Sequence, residues 1–290
     1  MSTRLTSSSP ASAGPKGVLV VSDLHVGSIY GMLPPDYEAE DGTRVGQNPG
    51  QRYLWDCWLH LCETVKKMNI VAVVINGDLI DGGQHMQKGT ELCLPRLGDQ
   101  AEASACVLRP LRKNTAQSKW YAVKGTEYHD SKGGEKADHV AEKLNCERYK
   151  GAGPGRFARE VLDLSVDGTI INFSHGISVS GGLYRATAAD REGVWSALAG
   201  KDGKLPKAHV VVRSHAHYFV RVEHESKHIL ITPCWELQTS YMRKNSVYRM
   251  LPTIGAVILW IDQTATDRGM DPMHLQKIIY ALPKTGVTVL

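Results

Sequence analysis

The sequence predicts an α/β protein in which two packed β-sheets are flanked by α-helices. Three observations lead there. Apolar runs such as Val18–Val21, Val71–Ile75 and Val210–Val212 are short and uninterrupted, as strands covered on both faces are. Stretches with apolar residues at helical spacing alternate with these runs in the first half of the chain. After Gly151-Ala-Gly-Pro-Gly155 strand-like segments predominate, which adds a second sheet to the first.

Taken in order, Met1 to Lys16 is rich in Ser, Thr, Ala, Gly and Pro without an apolar core, so a disordered tail is expected there and not an export signal. A first strand is expected over Gly17–Ser22. Residues 27–50, with Pro34-Pro35 inside, are too many for a simple connection and read as a loop insertion near the site. Leu54, Trp58, Leu61 and Val65 recur at helical spacing within a helix from about Gly50 to Met68. Strands over Ile70–Ile75 and Lys119–Val123 bracket a helix over Asp99–Lys113, and a short helix follows over Glu135–Leu144. Asp167-Gly168 is a hairpin signal between strands at Arg156–Ser165 and Thr169–Ser174. A helix over Arg185–Leu198 precedes strands at Ala208–Arg213, Tyr218–Val222, His228–Thr232, Gly255–Ile261 and Leu275–Tyr280.

With 290 residues, 42% hydrophobic and 22% charged, the chain can bury the core of one domain over residues 17–290. The net charge of +4 is too mild to indicate a nucleic-acid binder by itself. Six cysteines form no CxxC pair, and no apolar run reaches the length of a membrane span. A reducing, cytoplasmic setting with no membrane partner is the expectation.

Chemistry-bearing residues follow the strands. Asp23-Leu-His25 ends the first, Gly77-Asp78-Leu-Ile-Asp81 the second, His175 closes the hairpin, and Ser214-His215-Ala-His217 follows Val210–Val212. Residues just beyond strand ends converge where open α/β sheets bind their ligands. Because i and i+2 share a face of a strand, Asp23 with His25 and His215 with His217 can each reach one ion or two neighbouring ions. A carboxylate such as Asp78 has two oxygens and can bridge cations about 3.5–4 Å apart. These ligand types suit Mn, Fe, Zn or Ni, with Mn expected.

These motifs resemble the calcineurin-like metallophosphoesterase superfamily, whose pattern runs D-x-H, G-D-x-x-D, G-N-H-D/E, an isolated His, and G-H-x-H. Four of the five blocks are recognisable in order between Val18 and Phe219. Gly27-Ser28 and Pro34-Pro35 make the resemblance nearest to phage-type members, which would place the protein in a host cytoplasm. The resemblance implies a metallophosphoesterase-like sandwich of two mixed β-sheets and two divalent metal ions. Asp23, His25, Asp78 and His217 would hold the first metal, and Asp78, His175 and His215 the second. Asp81 would orient ligands from behind, and Ser214 stands harmlessly for the usual Gly.

The third block departs from the pattern, reading Gly125-Thr126-Glu127-Tyr128-His129-Asp130. Register places Thr126 at the ligating Asn, whereas Glu127 is the better ligand chemically; the second-metal ligand stays open between them, with Glu127 preferred. His129 is expected to be the general acid.

The function so implied is hydrolysis of a phosphate ester by water activated between two ions, on a diester of nucleotide or nucleic-acid type. A phosphomonoesterase, protein Ser/Thr phosphatases included, is the runner-up; its usual arginines are replaced by Gly82-Gly83 and Lys124. A non-catalytic scaffold has no need of so complete a ligand set. His85, Met86, Lys88, Tyr184, Arg185, Trp235, Gln238 and Tyr241 are weaker signals, read as surface or packing residues with a pocket role as the alternative.

Overall fold

The computed structural model describes residues 14–149, 156–177, 184–246 and 251–284. Residues 1–13 of the expected tail and the Gly-rich segment 151–155 lie outside them.

The first sheet has the order β13-β12-β1-β4-β5-β6, built from β1 (Lys16–Val21), β4 (Ile70–Asn76), β5 (Lys119–Val123), β6 (Ala158–Arg159), β12 (Ile254–Ile261) and β13 (Met273–Tyr280). β1, β4, β5 and β6 run parallel, while β12 and β13 are antiparallel additions. The second sheet, β10-β11-β9-β8-β7, comprises β7 (Leu162–Val166), β8 (Thr169–Phe173), β9 (Val210–Arg213), β10 (Val220–His224) and β11 (Lys227–Ile231). Here β8, β9 and β11 are the parallel strands.

Strand alternation divides the apolar runs between two cores. Val18 and Val20 of β1, with Ala72 and Val74 of β4, pack onto Ile171, Phe173, Val210, Val212 and Leu230 between the sheets. Leu19, Val21, Val73 and Ile75 point the other way, onto Leu54, Trp58 and Leu61 of helix α1 (Pro49–Val65) and Val107 and Leu108 of α2 (Leu97–Asn114). Val211 and Ile229 take Ala188 and Ala189 of α4 (Arg185–Lys201) on the outside of the second sheet. The short α3 (Glu135–Lys143) packs on α2. The result is an α/β/β/α sandwich of two mixed sheets, as the sequence predicts.

One expectation needs correction and another gains detail. The expected strand at Arg156–Ser165 is two strands: β6 extends the first sheet and β7 starts the second, because the chain crosses between layers at Glu160-Val161. Residues 27–50, read as a loop insertion, are loop for most of their length with a short hairpin at the tip. Their tip pairs β2 (Tyr37–Glu38) with β3 (Arg44–Val45), Met32 and Leu33 are fully buried, and the Tyr37 hydroxyl donates to the Asp99 carbonyl of α2. That segment is anchored on the helical layer.

Candidate metal centre

The parallel strands of both sheets end at one rim, so β1 delivers Asp23 and His25, β4 Asp78 and Asp81, β5 His129, β8 His175, and β9 His215 and His217. The i, i+2 strand geometry expected for Asp-x-His and His-x-His is not what aims these side chains. Asp23, His25, Asp78, His215 and His217 all have positive φ, between 44° and 69°. That left-handed backbone is strained for residues other than Gly and Asn or Asp, and such strain concentrates at functional sites. It folds the chain over at the strand ends so that adjacent ligands face one space.

Four overlapping triads result, Asp23 with His25 and His217, Asp78 with His175 and His215, His25 with Asp78 and His129, and His25 with Asp81 and Glu236; within each, one ligand atom per residue lies within 4.8 Å of the others, and the first two hold the expected ligands. In the first, His25 Nε2 is 3.1 Å from His217 Nε2, and His217 Nε2 is 3.3 Å from Asp23 Oδ1. Asp78 Oδ2 stands between the first two triads, 2.9 Å from His175 Nε2, 3.8 Å from His215 Nδ1 and 4.0 Å from His25 Nε2. Ligands about 2.1 Å from one cation sit roughly 3.0–3.4 Å apart when adjacent and about 4.2 Å when opposite, so these separations suit ions. Asp23 Oδ2 and His215 Nδ1 are buried without hydrogen-bond partners, and the buried Asp78 Oδ2 and His175 Nε2 have only each other within such reach. Burying such atoms is costly unless something coordinates them. The donor set therefore fits divalent metal.

Groups behind the ligands fix their orientation. His175 donates Nδ1–H to the Asn76 carbonyl at 2.7 Å, so Nε2 is the atom turned inward. His25 Nδ1 faces Asp81 Oδ1 at 3.2 Å, and the other Asp81 oxygen accepts from Gln84 at 2.6 Å. His129 donates Nδ1–H to the Asp81 carbonyl at 2.7 Å, and its ring lies 4.4 Å from that of His25. Gly77 is needed at its place: with φ of +86° and the His175 ring against it, a methyl group there would collide with Nδ1.

The third block resolves differently from either expectation. Thr126 donates its backbone N–H and its hydroxyl to Asp78 Oδ1, at 2.7 and 3.1 Å, and so turns Oδ2 toward the cluster. Glu127 is exposed, carried outward by the turn in which His129 N–H bonds the Thr126 carbonyl, and joins none of the metal-competent groups. Thr126 is thus a clamp on Asp78, and the preferred ligand Glu127 is not brought to the site. Ser214 is more than a small residue: its hydroxyl bonds Thr232 at 2.7 Å and Asn76 at 2.6 Å, tying the two sheets together behind the ligands.

Two acids were not singled out from the sequence. Asp130 accepts from Gly125 N–H at 2.6 Å and Leu79 N–H at 2.9 Å, holding the β4 and β5 ends together; burial and the Asp78 charge raise its pKa to about 6. Glu236, 2% exposed, lies 3.5 Å from His217 Nδ1 and 3.9 Å from His25 Nε2. Burial, with Asp81 and Asp23 nearby, pushes its carboxyl well above the usual range. The ligands show the reverse. Burial opposes ionisation of Asp78 and Asp23, but His175 beside them holds both below the carboxylate range. Burial likewise opposes a charge on His175, yet Asp78 and Asp23 raise it to about 10. His25 is lowered to about 4 by burial and by His129.

No family model matches the chain, and no curated protein does. Solved structures to which the chain is similar include a single mutant of Vps29 from Entamoeba histolytica, 15% identical over 91% of this chain and 99% of that one, with TM-score 0.40. An archaeal phosphodiesterase is 11% identical over 91% and 99%, with TM-score 0.41. The hypothetical protein PH1004 of Pyrococcus horikoshii OT3 is 9% identical over 92% and 89%, with TM-score 0.44. At such identities and TM-scores, what the site does rests on its own residues. Among the described residues no helix is long and apolar enough to cross a membrane.

Proposed function

We propose that this chain is a metal-dependent phosphoesterase of the calcineurin-like type, holding two divalent ions and cleaving phosphate diesters. The observation that carries this reading is Asp78 Oδ2, a fully buried oxygen that faces His175, His215 and His25 together. Asp23, His25, Asp78 and His217 would hold one ion, and Asp78, His175 and His215 the other. When bound, such ions supply a nucleophile from water near neutral pH and neutralise charge on the phosphoryl oxygens.

The chain's own contribution is position and protons. Thr126 fixes Asp78, Asp81 fixes His25, and the Asn76 carbonyl fixes the His175 tautomer. His129, held through Nδ1 on the Asp81 carbonyl, keeps Nε2 for the cavity, where it would give its proton to the departing alkoxide. The protein-phosphatase alternative draws no support here, since Lys124 pairs with Glu160 at 3.1 Å, away from the ligands.

The test is hydrolysis of bis-p-nitrophenyl phosphate beside p-nitrophenyl phosphate by the Mn-loaded full chain. Diester cleavage abolished by EDTA and restored by Mn is expected; no turnover of either ester with two ions bound would sink the reading. His129→Ala should slow alkyl leaving groups by about 10²–10⁴-fold and nitrophenolate far less, as loss of a general acid does. Equal losses on both would make His129 a phosphate clamp instead.

A further inference from the structure

The metal-competent cluster forms one wall of a cavity of about 550 Å³, large enough for one drug-sized group. Met86, Tyr128, Tyr241, Met242, Leu251 and Pro252 line the same cavity. Three of these are large apolar side chains left open to solvent: Met86 is 84% exposed, Tyr241 54% and Leu251 41%. Exposed apolar groups collected on the rim of one cavity mark a contact surface for a ligand, unlike the same residues scattered singly. The rings are also set in place. Tyr128 donates its hydroxyl to Gln87 at 2.9 Å and stands edge-on to the His129 ring at 4.9 Å, beside the group assigned to proton transfer. Tyr241 and Met242 ride on the short helix α5 (Ser240–Ser246), which Arg243 pins by stacking over Tyr30 at 5.2 Å.

Charge narrows the ligand further. Among the described lining residues none is Lys or Arg, and Glu91 adds a carboxylate to the cavity. Arg185 is engaged over the Tyr218 ring at 4.6 Å and does not itself line the space. A nucleic-acid strand is bound largely through Lys and Arg on successive phosphates, and none of the described lining residues is of that kind. A small diester carries one charge, which the ions alone can meet, leaving its organic substituent to the apolar lining.

We infer that the Met86–Tyr128–Tyr241–Leu251 lining is a subsite for a planar, uncharged ring, aryl or nucleobase, on a small singly charged phosphodiester. This rests on the phosphoesterase reading and names its substrate class. Tyr and Met suit the role, the first as a rigid amphipathic face and the second as an adaptable, polarizable one.

Three diesters sharing nitrophenolate as leaving group test it on the Mn-loaded chain: the methyl, phenyl and thymidine 5′ esters of p-nitrophenyl phosphate, beside a single-stranded oligodeoxynucleotide. The phenyl or thymidine ester should exceed the methyl ester in kcat/KM by about 10- to 100-fold, the size of one ring-stacking contact, and which of the two leads separates aryl from nucleobase. Tyr241→Ala should bring that ratio to within about threefold of unity and Tyr241→Phe should restore it, since the ring is what acts. Equal turnover of methyl and ring-bearing esters, a ratio unmoved in Tyr241→Ala, or faster cleavage of the oligonucleotide would overturn the inference. If no ester is cleaved, the hydrolytic reading fails separately, and calorimetry with diphenyl phosphate decides the subsite. Binding weakened about 10-fold by Tyr241→Ala supports it, by the same stacking estimate, and no binding overturns it.

Discussion

Asp78→Asn is expected to lower diester turnover by at least about 10³-fold, beyond the roughly 10- to 100-fold typical of losing a group behind a ligand. The same change should reduce bound Mn from two ions per chain to one or none. The variant is informative because it leaves the fold with little to object to. Asn tolerates the left-handed backbone that Asp78 adopts at φ of 51°. Its carbonyl oxygen can still accept from Thr126 N–H and hydroxyl, so the turn after β5 keeps its clamp. What disappears is the negative charge on Oδ2, the atom facing both triads of expected ligands, replaced by an amide that donates where a cation should sit. Circular dichroism should therefore resemble wild type while metal content and activity fall together, and the metal-free variant should melt lower below pH 10 because the ion pair with His175 is lost. Two ions retained with measurable turnover would show that Asp78 is not the bridge.

How far the sequence reaches is clearest at the strand ends. Val18–Val21 and Val71–Ile75 are buried on both faces because helices cover one side of the sheet and a second sheet the other, and that double burial writes an uninterrupted apolar run. Asp23, His25, Asp78, His175, His215 and His217 are legible for the same reason: each follows such a run closely enough for local spacing to carry it. Glu236 has no such signature. It reaches His217 only because β11 runs parallel to β9 and ends at the same rim, a pairing of distant segments that no local period records. The two readings of Trp235 illustrate the limit: a pocket role was open from sequence, yet the ring is fully buried 4.8 Å from Trp58, and its neighbour Glu236 faces the site instead. Glu127 fails on a turn: chemically it is the better ligand, but two residues of chain reversal decide which way it points. Tyr241 is only a weak signal in the sequence because a rim residue on a seven-residue helix carries no period to read.

Metal loading should expel protons, and His175 is the reason. In the metal-free chain burial works against charge on this ring, but Asp78 and Asp23 outweigh it and raise the pKa to about 10. Nδ1–H is committed to the Asn76 carbonyl, so the proton that exchanges is on Nε2, the atom a cation needs. Between pH 6.5 and 9 each chain should release at least one proton on binding Mn, and apparent affinity should rise about tenfold per pH unit for each proton released. Isothermal calorimetry in buffers of different ionisation enthalpy measures that number directly. The same ring sets a stability signature in the metal-free chain. A folded pKa raised above the unfolded 6.5 adds stability that is complete below pH 6.5 and lost as pH climbs toward 10. The raised Glu236 carboxyl acts with the same sign. His25, lowered to about 4, acts oppositely between pH 4 and 6.5, where the unfolded chain takes up a proton that the folded one refuses. The melting temperature of the EDTA-treated chain should therefore decline from pH 6.5 to 10, while the Mn-loaded chain, with the His175 proton already displaced, shows less decline over that window. His175→Ala should remove most of that slope and about one released proton. Binding without proton release, or a metal-free chain that grows more stable above pH 6.5, would rule out the charged His175–Asp78 pair as the resting state of the site.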